Sequence, residues 1–480
     1  MRSLPHFWWI GVALVQFCAC NCAFAVGLGD ENTSQISALP DFLSQITNWS
    51  GYRAKLEQEG LKFTFTYFGD AFANPAGGIK QGFGYDGRFG TIIDADLQKL
   101  LGWAGATFHA SIHQIHGTEF SGQNLDNLMT VSGIEAPPST RLFNLWVAQD
   151  IDRQMNVRVG QITAAQEFLV SQNANLFVNS TFGWPVLSAQ DLPSGGPAYP
   201  EATPGVRVQF KPNDNVTVLA AIFNGDPAGP GAGNPVQRDP FGLAFRVADP
   251  PFLIAELDYS YGQGQARGNP NQEGANTPAL AVGGSTSDLP GTIKVGAWLH
   301  TGKFSDQQFN SQGTSLAASG GSPLEYSGDY AIYGVLDQTL WTAPDKDNGT
   351  LGLFLRGVVA PEDRNMIDRY IDGGLTYKGL ISSRPDDTLG LAFAYGHISS
   401  DAAAYDAEID AITGHAFPVR DFEAAIELTY QWVLRDGWYI QPNLQYIIHP
   451  GGFIANPAEP GTTSAILNAV VVGTRLVAHF

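Results

Sequence analysis

Between Asp421 and Leu434 the chain alternates. Phe422, Ala424, Ile426, Leu428, Tyr430, Trp432 and Leu434 hold the even positions, while Asp421, Glu423, Glu427, Thr429 and Gln431 stand among the odd ones. Successive side chains of a β-strand point to opposite faces, so this segment predicts a strand with one apolar face and one face of carboxylates and amides. The turn Arg435-Asp436-Gly437 leads into a second segment, with Trp438, Ile440, Leu444, Tyr446 and Ile448 on one face and Tyr439, Gln441, Asn443, Gln445 and His449 on the other. The two predict a tight hairpin. The same period appears at Leu253–Tyr261, at Thr292–His300 and at Ile93–Gln98. Seventeen segments of this kind can be marked between Leu61 and Phe480. Tight polar turns (Asp150–Arg153, Lys211–Asn215) alternate with long stretches rich in Gly, Pro, Ser and Asn (Thr118–Ser139, Thr163–Ala202, Ser399–Pro418).

Two architectures need so many alternating strands: a soluble sandwich and a transmembrane barrel. A sandwich buries its apolar face and covers its outside with charge. This chain carries 15% charged residues against about 25% in ordinary soluble domains. A membrane barrel reverses the pattern, with apolar side chains outward, a polar lumen, short periplasmic turns and longer outer loops. It also leaves no open strand edge in lipid. Tyr430, Trp432, Trp438 and Tyr446 fall near strand ends, where an interfacial aromatic belt belongs. The last segment puts Val470, Val472, Thr474, Leu476, Ala478 and Phe480 on one face. A terminal phenylalanine on an alternating strand looks like the signal by which bacterial outer-membrane barrels are recognised for insertion. Single-chain bacterial barrels have an even strand number. The weakest candidate, Phe241–Val247 with only seven residues, is therefore assigned to a loop, leaving an all-β, 16-stranded antiparallel transmembrane barrel over residues 61–480. The helix formers and glycine stop of Trp49–Gly60 predict a short periplasmic helix before the first strand, within a segment 26–60.

Residues 1–25 read as a cleaved secretory signal peptide: Arg2, an apolar run Phe7–Phe17, and Ala23-Phe24-Ala25. Cys18, Cys20 and Cys22 lack the small-residue lead-in of a lipoprotein anchor, and all three cysteines leave with the leader. Beyond Ala25 no stretch nears the 18 or so consecutive apolar residues of a membrane helix. The net charge of −20, from 46 acidic and 26 basic residues, argues against nucleic acid as a partner.

The ordered clusters Trp49/Gly51/Arg53, Asn74 with Gly77-Gly78, Thr140-Arg141-Leu142, Arg158-Val159-Gly160-Gln161, Phe223-Asn224-Gly225-Asp226, Gly373-Gly374-Leu375, Arg384-Pro385 and His449-Pro450-Gly451-Gly452 resemble the OprB family of carbohydrate-selective porins. The resemblance implies a 16-stranded channel in the outer membrane of a Gram-negative bacterium, through which small sugars diffuse passively. It implies no catalytic residue and no cofactor. Its expected partners are small carbohydrates, outer-membrane lipid and the barrel-insertion machinery that reads the strand ending at Phe480. A general or cation-preferring porin is the alternative, given the acidic chain. An outer-membrane barrel enzyme is a remoter one: Ser111 shares a strand face with His109 and His113, but no supporting acid is identifiable.

A sugar pore needs polar groups that replace water on hydroxyls and aromatic faces for the pyranose ring. The alternation puts Arg158, Arg207 and Lys294 on the lumen face, opposed to Asp94, Asp96, Glu256, Asp258, Glu423 and Glu427. Trp298 and Tyr439 fall on the same face as candidate stacking platforms. The plainer reading is that these charges pair along the wall of a wide pore. His109 and His113 face the lumen but His116 faces away, so the three do not converge on a metal. The length of Thr163–Ala202 suggests a loop that folds into the barrel and narrows it.

Overall fold

The computed structural model describes residues 51–262, 289–343, 349–460 and 463–480; the leader read over residues 1–25 lies outside them. Within them sixteen strands close into one antiparallel barrel, each bonded to its neighbours in sequence and the first to the last. They are β1 (Leu61–Gly78), β2 (Gly82–Asp96), β3 (Ala106–Gly117), β4 (Ser139–Asp150), β5 (Met155–Ile162), β6 (Thr203–Asn213), β7 (Val216–Asn224) and β8 (Pro251–Tyr261). The second half comprises β9 (Gly291–Asn310), β10 (Pro323–Thr342), β11 (Thr350–Val359), β12 (Ile367–Lys378), β13 (Thr388–Ile398), β14 (Phe422–Arg435), β15 (Trp438–Ile448) and β16 (Leu467–His479). The expected strand number holds, and Phe241–Val247 forms no strand. A short helix, Tyr52–Gln58, precedes β1.

Closure is antiparallel, with Tyr67 opposite Ala478 and Phe68 opposite Val477. Phe65 and Phe480 exchange backbone hydrogen bonds of 2.9 and 3.0 Å, and their rings stack at 6.5 Å. The terminal aromatic thus seals the seam between first and last strands. At the end of the barrel where β16 finishes, the β6–β7 and β14–β15 connections are tight turns; at the other end lie the long connections 118–138, 163–202, 225–250 and 399–421.

The wall is inside-out. Leu257, Val295, Ile332, Leu391, Leu428 and Val472 are exposed on its outside, whereas Glu256, Lys294, Glu427, Gln445 and Arg475 are buried within. An outward apolar band with polar groups inward is the arrangement that hydrocarbon imposes.

The interior is fuller than alternation alone predicts. Connection 163–202 turns into the lumen, where Phe168, Leu169, Phe177 and Phe182 are buried in one apolar cluster with Phe252, Trp298 and Phe354 of the wall. Phe354 meets Phe177 and Phe182 at ring distances of 5.7 and 6.2 Å. The inner face of the wall is therefore apolar where the loop lands. Two inward glycines make room for it: a Cβ on Gly352 would lie 2.4 Å from Asn173 Oδ1, and one on Gly390 2.6 Å from Leu176 Cδ2.

Candidate functional site

A loop folded inside a barrel carries backbone N–H and C=O groups that must find partners away from bulk water. The inner wall supplies them. Glu427 on β14 accepts from the N–H groups of Val178 and Asn179 at 2.8 and 2.9 Å. Glu256 on β8 accepts from Leu169 N–H at 2.8 Å. Asp337 on β10 accepts from the hydroxyl of Ser171 at 2.7 Å and from the side-chain amide of Asn173 at 3.0 Å. The carbonyls are met by Arg356 on β11, fully buried, which donates to Leu169, Thr181, Phe182 and Gly183 at 2.9 to 3.1 Å and pairs with Asp372 on β12.

The second inward loop, 118–138, is held the same way. Glu423 accepts from the N–H groups of Leu128, Met129 and Gly451 at 2.8, 2.6 and 2.7 Å. Asp70 on β1 takes both a two-pronged contact from Arg475 on β16, at 2.9 and 2.7 Å, and the Ser132 hydroxyl. Gln445 donates to the Val131 carbonyl at 2.8 Å. Both loops are thus anchored on β14, through Glu423 and Glu427, and bond to each other through Gly133 N–H to the Val178 carbonyl and Ser180 N–H to the Thr130 carbonyl, both at 2.9 Å.

The remaining polar surface of the wall forms a stripe across β2 to β6, starting at Asp94, whose carboxylate lies 2.7 Å from His109 Nδ1. The His109 ring stacks on Trp146 at 4.8 Å and 9° between planes. The Arg158 guanidinium covers the other face of that indole, 3.8 Å from its centre. Arg158 then meets Glu167 at 2.8 Å, and Glu167 also pairs with Arg207. Glu167 belongs to the inward loop, so this ion-paired triad ties the loop to the wall where it departs. Further round, Lys294 on β9 lies 3.4 Å from Glu256 and 3.7 Å from Asp258. Side-chain exposure separates these groups: Asp94 keeps 30%, Arg158 24%, Asp258 15%, His109 14% and Glu167 13%, while Glu256 keeps none.

The lumen residues expected from sequence therefore divide. Asp94, Arg158, Lys294 and Asp258 line the stripe and its neighbour cluster, and Arg207 stands behind them, bonded to Asn156 Oδ1 at 2.6 Å. Glu256, Glu423 and Glu427 face inward but are covered by the loops they hold. Asp96 caps the short helix Leu97–Leu101 by accepting from Gln98 and Lys99 N–H, which places it in a turn rather than on the channel wall. Trp298 is 2% exposed against Phe252, and Tyr439 is buried beside Phe68 and Val477, so neither ring offers an open face. Opposite charges pair side by side along the wall. His116 points away from His109 and His113, toward Tyr67 and Tyr85. Sequence reasoning missed Glu167, Trp146, Asp337 and Arg356. Glu167 sits in a loop, where alternation carries no information, and Trp146 and Arg356 stand among apolar neighbours.

The family description that matches this chain is the carbohydrate-selective porin, OprB family, over residues 80–480. Porin B of Pseudomonas aeruginosa is 24% identical over 497 residues, covering 96% of this chain and 97% of that protein. A putative porin, QuiX, of Acinetobacter baylyi is 24% identical over 468 residues, covering 87% and 92%. Among solved structures, the high-pH form of Pseudomonas putida OprB superposes with a TM-score of 0.77 at 23% identity, covering 90% of this chain and 97% of that one.

Proposed function

Since the chain belongs to the OprB family of carbohydrate-selective porins of the Gram-negative outer membrane, we propose that sugars cross it along the stripe Asp94–His109–Trp146–Arg158–Glu167, beside the Lys294–Asp258 cluster. The observation that carries this reading is that these polar groups, ranged side by side on the inner wall, keep solvent exposure after the loops are seated. A sugar hydroxyl donates and accepts at once. Ion pairs fixed side by side present it with acceptors at Asp94, Glu167 and Asp258 and donors at Arg158 and Lys294, replacing its water shell group by group. Because Arg158, Arg207, Glu167, Lys294 and Asp258 each have an ionic partner, this part of the wall carries little net field, so a neutral solute meets hydrogen bonds without strong competition from ions. Trp146 is clamped on both faces and serves as a rigid spacer that sets the heights of His109 and Arg158, rather than as a stacking platform.

Arg158→Ala is expected to weaken glucose block of the ion current about tenfold, the equivalent of one hydrogen bond to a charged group at about 1.5 kcal/mol. Unchanged block would remove the stripe from the path. Paired lumen charges also favour the sugar channel over the cation-preferring one, since the carboxylates of Glu423, Glu427 and Glu256 are committed to loop N–H groups. We further propose that residues 1–25 are the exported leader and that Phe480 is the handle for barrel insertion. Deleting Phe480, which also removes its seam contacts with Phe65, is expected to lower the amount of folded barrel in the membrane. Wild-type levels would refute the handle.

A further inference from the structure

The segment Phe241–Val247 alternates like a strand yet joins no ladder, and Phe241, Leu243, Phe245 and Val247 expose 62%, 57%, 42% and 80% of their surface. Four large apolar side chains on one connection, all on odd positions, need an explanation that channel function does not give. Their location supplies it. The β4–β5 ladder stops at Leu145 opposite Gln161, because β5 ends at Ile162 where the chain turns into the lumen. Above that point the edge of β4 has lost its partner. Phe241 fills the gap: its carbonyl accepts from Leu142 N–H at 2.9 Å, and the Gln161 amide donates to the Gly242 carbonyl at 2.9 Å. Gly242 packs so closely on β4 that a Cβ there would lie 2.0 Å from the Leu142 carbonyl oxygen.

The wall is also low on this side. Strand β5 has 8 residues and β7 has 9, whereas β9 and β10 have 20 each. At about 3.3 Å per residue and a tilt of about 40°, eight residues rise roughly 20 Å, short of the apolar band of about 25 Å that a membrane barrel presents. The connection 225–250 crosses this gap between β7 and β8.

The turn that opens the segment is held within the protein. The buried Asp239 carboxylate accepts from Leu243 N–H at 3.1 Å and Ala244 N–H at 3.4 Å, and Gly242 N–H donates to the Asp239 carbonyl at 3.3 Å. Arg246, the cation of the segment, is neutralised by a two-pronged contact with Asp249 at 2.8 and 2.7 Å.

We propose that Phe241–Val247 is a membrane-inserted strap that completes the lipid-facing wall above β5–β7, with its four apolar side chains among the acyl chains of the outer leaflet. Continuity with the outward surface of β4 and the height deficit of β5 commit the strap to lipid. A second copy of the chain and open water are the competing occupants that the experiment separates.

Residues 26–480 contain no cysteine, so single-cysteine variants can be labelled cleanly. Leu243→Cys and Val247→Cys carry an environment-sensitive fluorophore in phosphatidylcholine liposomes, with Leu257→Cys as the mid-wall lipid reference and Gln237→Cys as an exposed reference on the same connection. Heat-modifiable gel mobility shows that each variant is folded. At positions 243 and 247 we expect quenching by nitroxide-labelled lipid comparable to that at 257, and shielding from aqueous iodide. Iodide quenching like that at 237 would overturn the proposal in favour of water. Protection from both quenchers would overturn it in favour of a protein contact.

Discussion

Glu427 shows what a single residue can and cannot reveal. Its alternation with Ile426 and Leu428 places it on the lumen face, and the structure puts it there. Nothing local says that its carboxylate ends on the N–H groups of Val178 and Asn179, some 250 positions away in sequence. The face of a strand residue follows from period two; its partner follows from loop conformation, which has no period. Glu135 in the other inward loop makes the same kind of contact, accepting from the Ser121 N–H and hydroxyl at 2.8 and 2.7 Å. Loss of solvent, with Asp86 nearby, pushes its pKa up from 4.5 to about 8. A carboxyl raised in the folded state stabilises the docked loop fully below about 4.5, and that contribution is lost as the pH rises through about 8. The conductance of the wild-type channel is therefore expected to grow from about pH 5 to about pH 8 as the loop loosens, then level off. Glu135→Gln should flatten this rise; an identical profile in the variant would clear Glu135 of the role.

At the scale of elements, the strands were legible and the loops were not. The β14–β15 hairpin, with its turn at Asp436-Gly437, runs where alternation placed it. Phe241–Val247 spans nothing, as its assignment to a loop expects, yet its four large apolar side chains are exposed. On the inner face the alternation marks charges with Trp298 and Tyr439 as aromatic platforms, and it gives no sign of an apolar patch there. Phe252, Trp298 and Phe354 point inward because connection 163–202 packs on them. Arg356 is the counterpart on the polar side: without it, the carbonyls of Leu169, Phe182 and Gly183 lose this donor, and Thr181 and Asp372 keep only the Tyr370 hydroxyl. Replacing 163–202 by a short Gly-Ser linker is expected to raise single-channel conductance severalfold and to abolish sugar block, because Glu167 leaves with the loop and the lumen opens. Conductance that stayed at the parent level would mean that the constriction lies elsewhere.

For the whole molecule, the acid surplus takes on a different meaning. A net charge of −20 suggests a cation channel, yet Asp70, Glu256, Asp337, Asp372, Glu423 and Glu427 each hold a loop or a buried arginine. Much of the lumen's negative charge is thus structural, and what faces the passage is paired. The outside is an apolar band, the inside holds two folded loops, and the proposed sugar path is the stripe beside them. The most direct test of this account is the ion current through single channels of the purified protein in a planar bilayer as glucose is added. The account predicts a saturating block, as expected when the solute occupies a site in the passage. A decline that only follows the viscosity of the solution, without saturation, would contradict it.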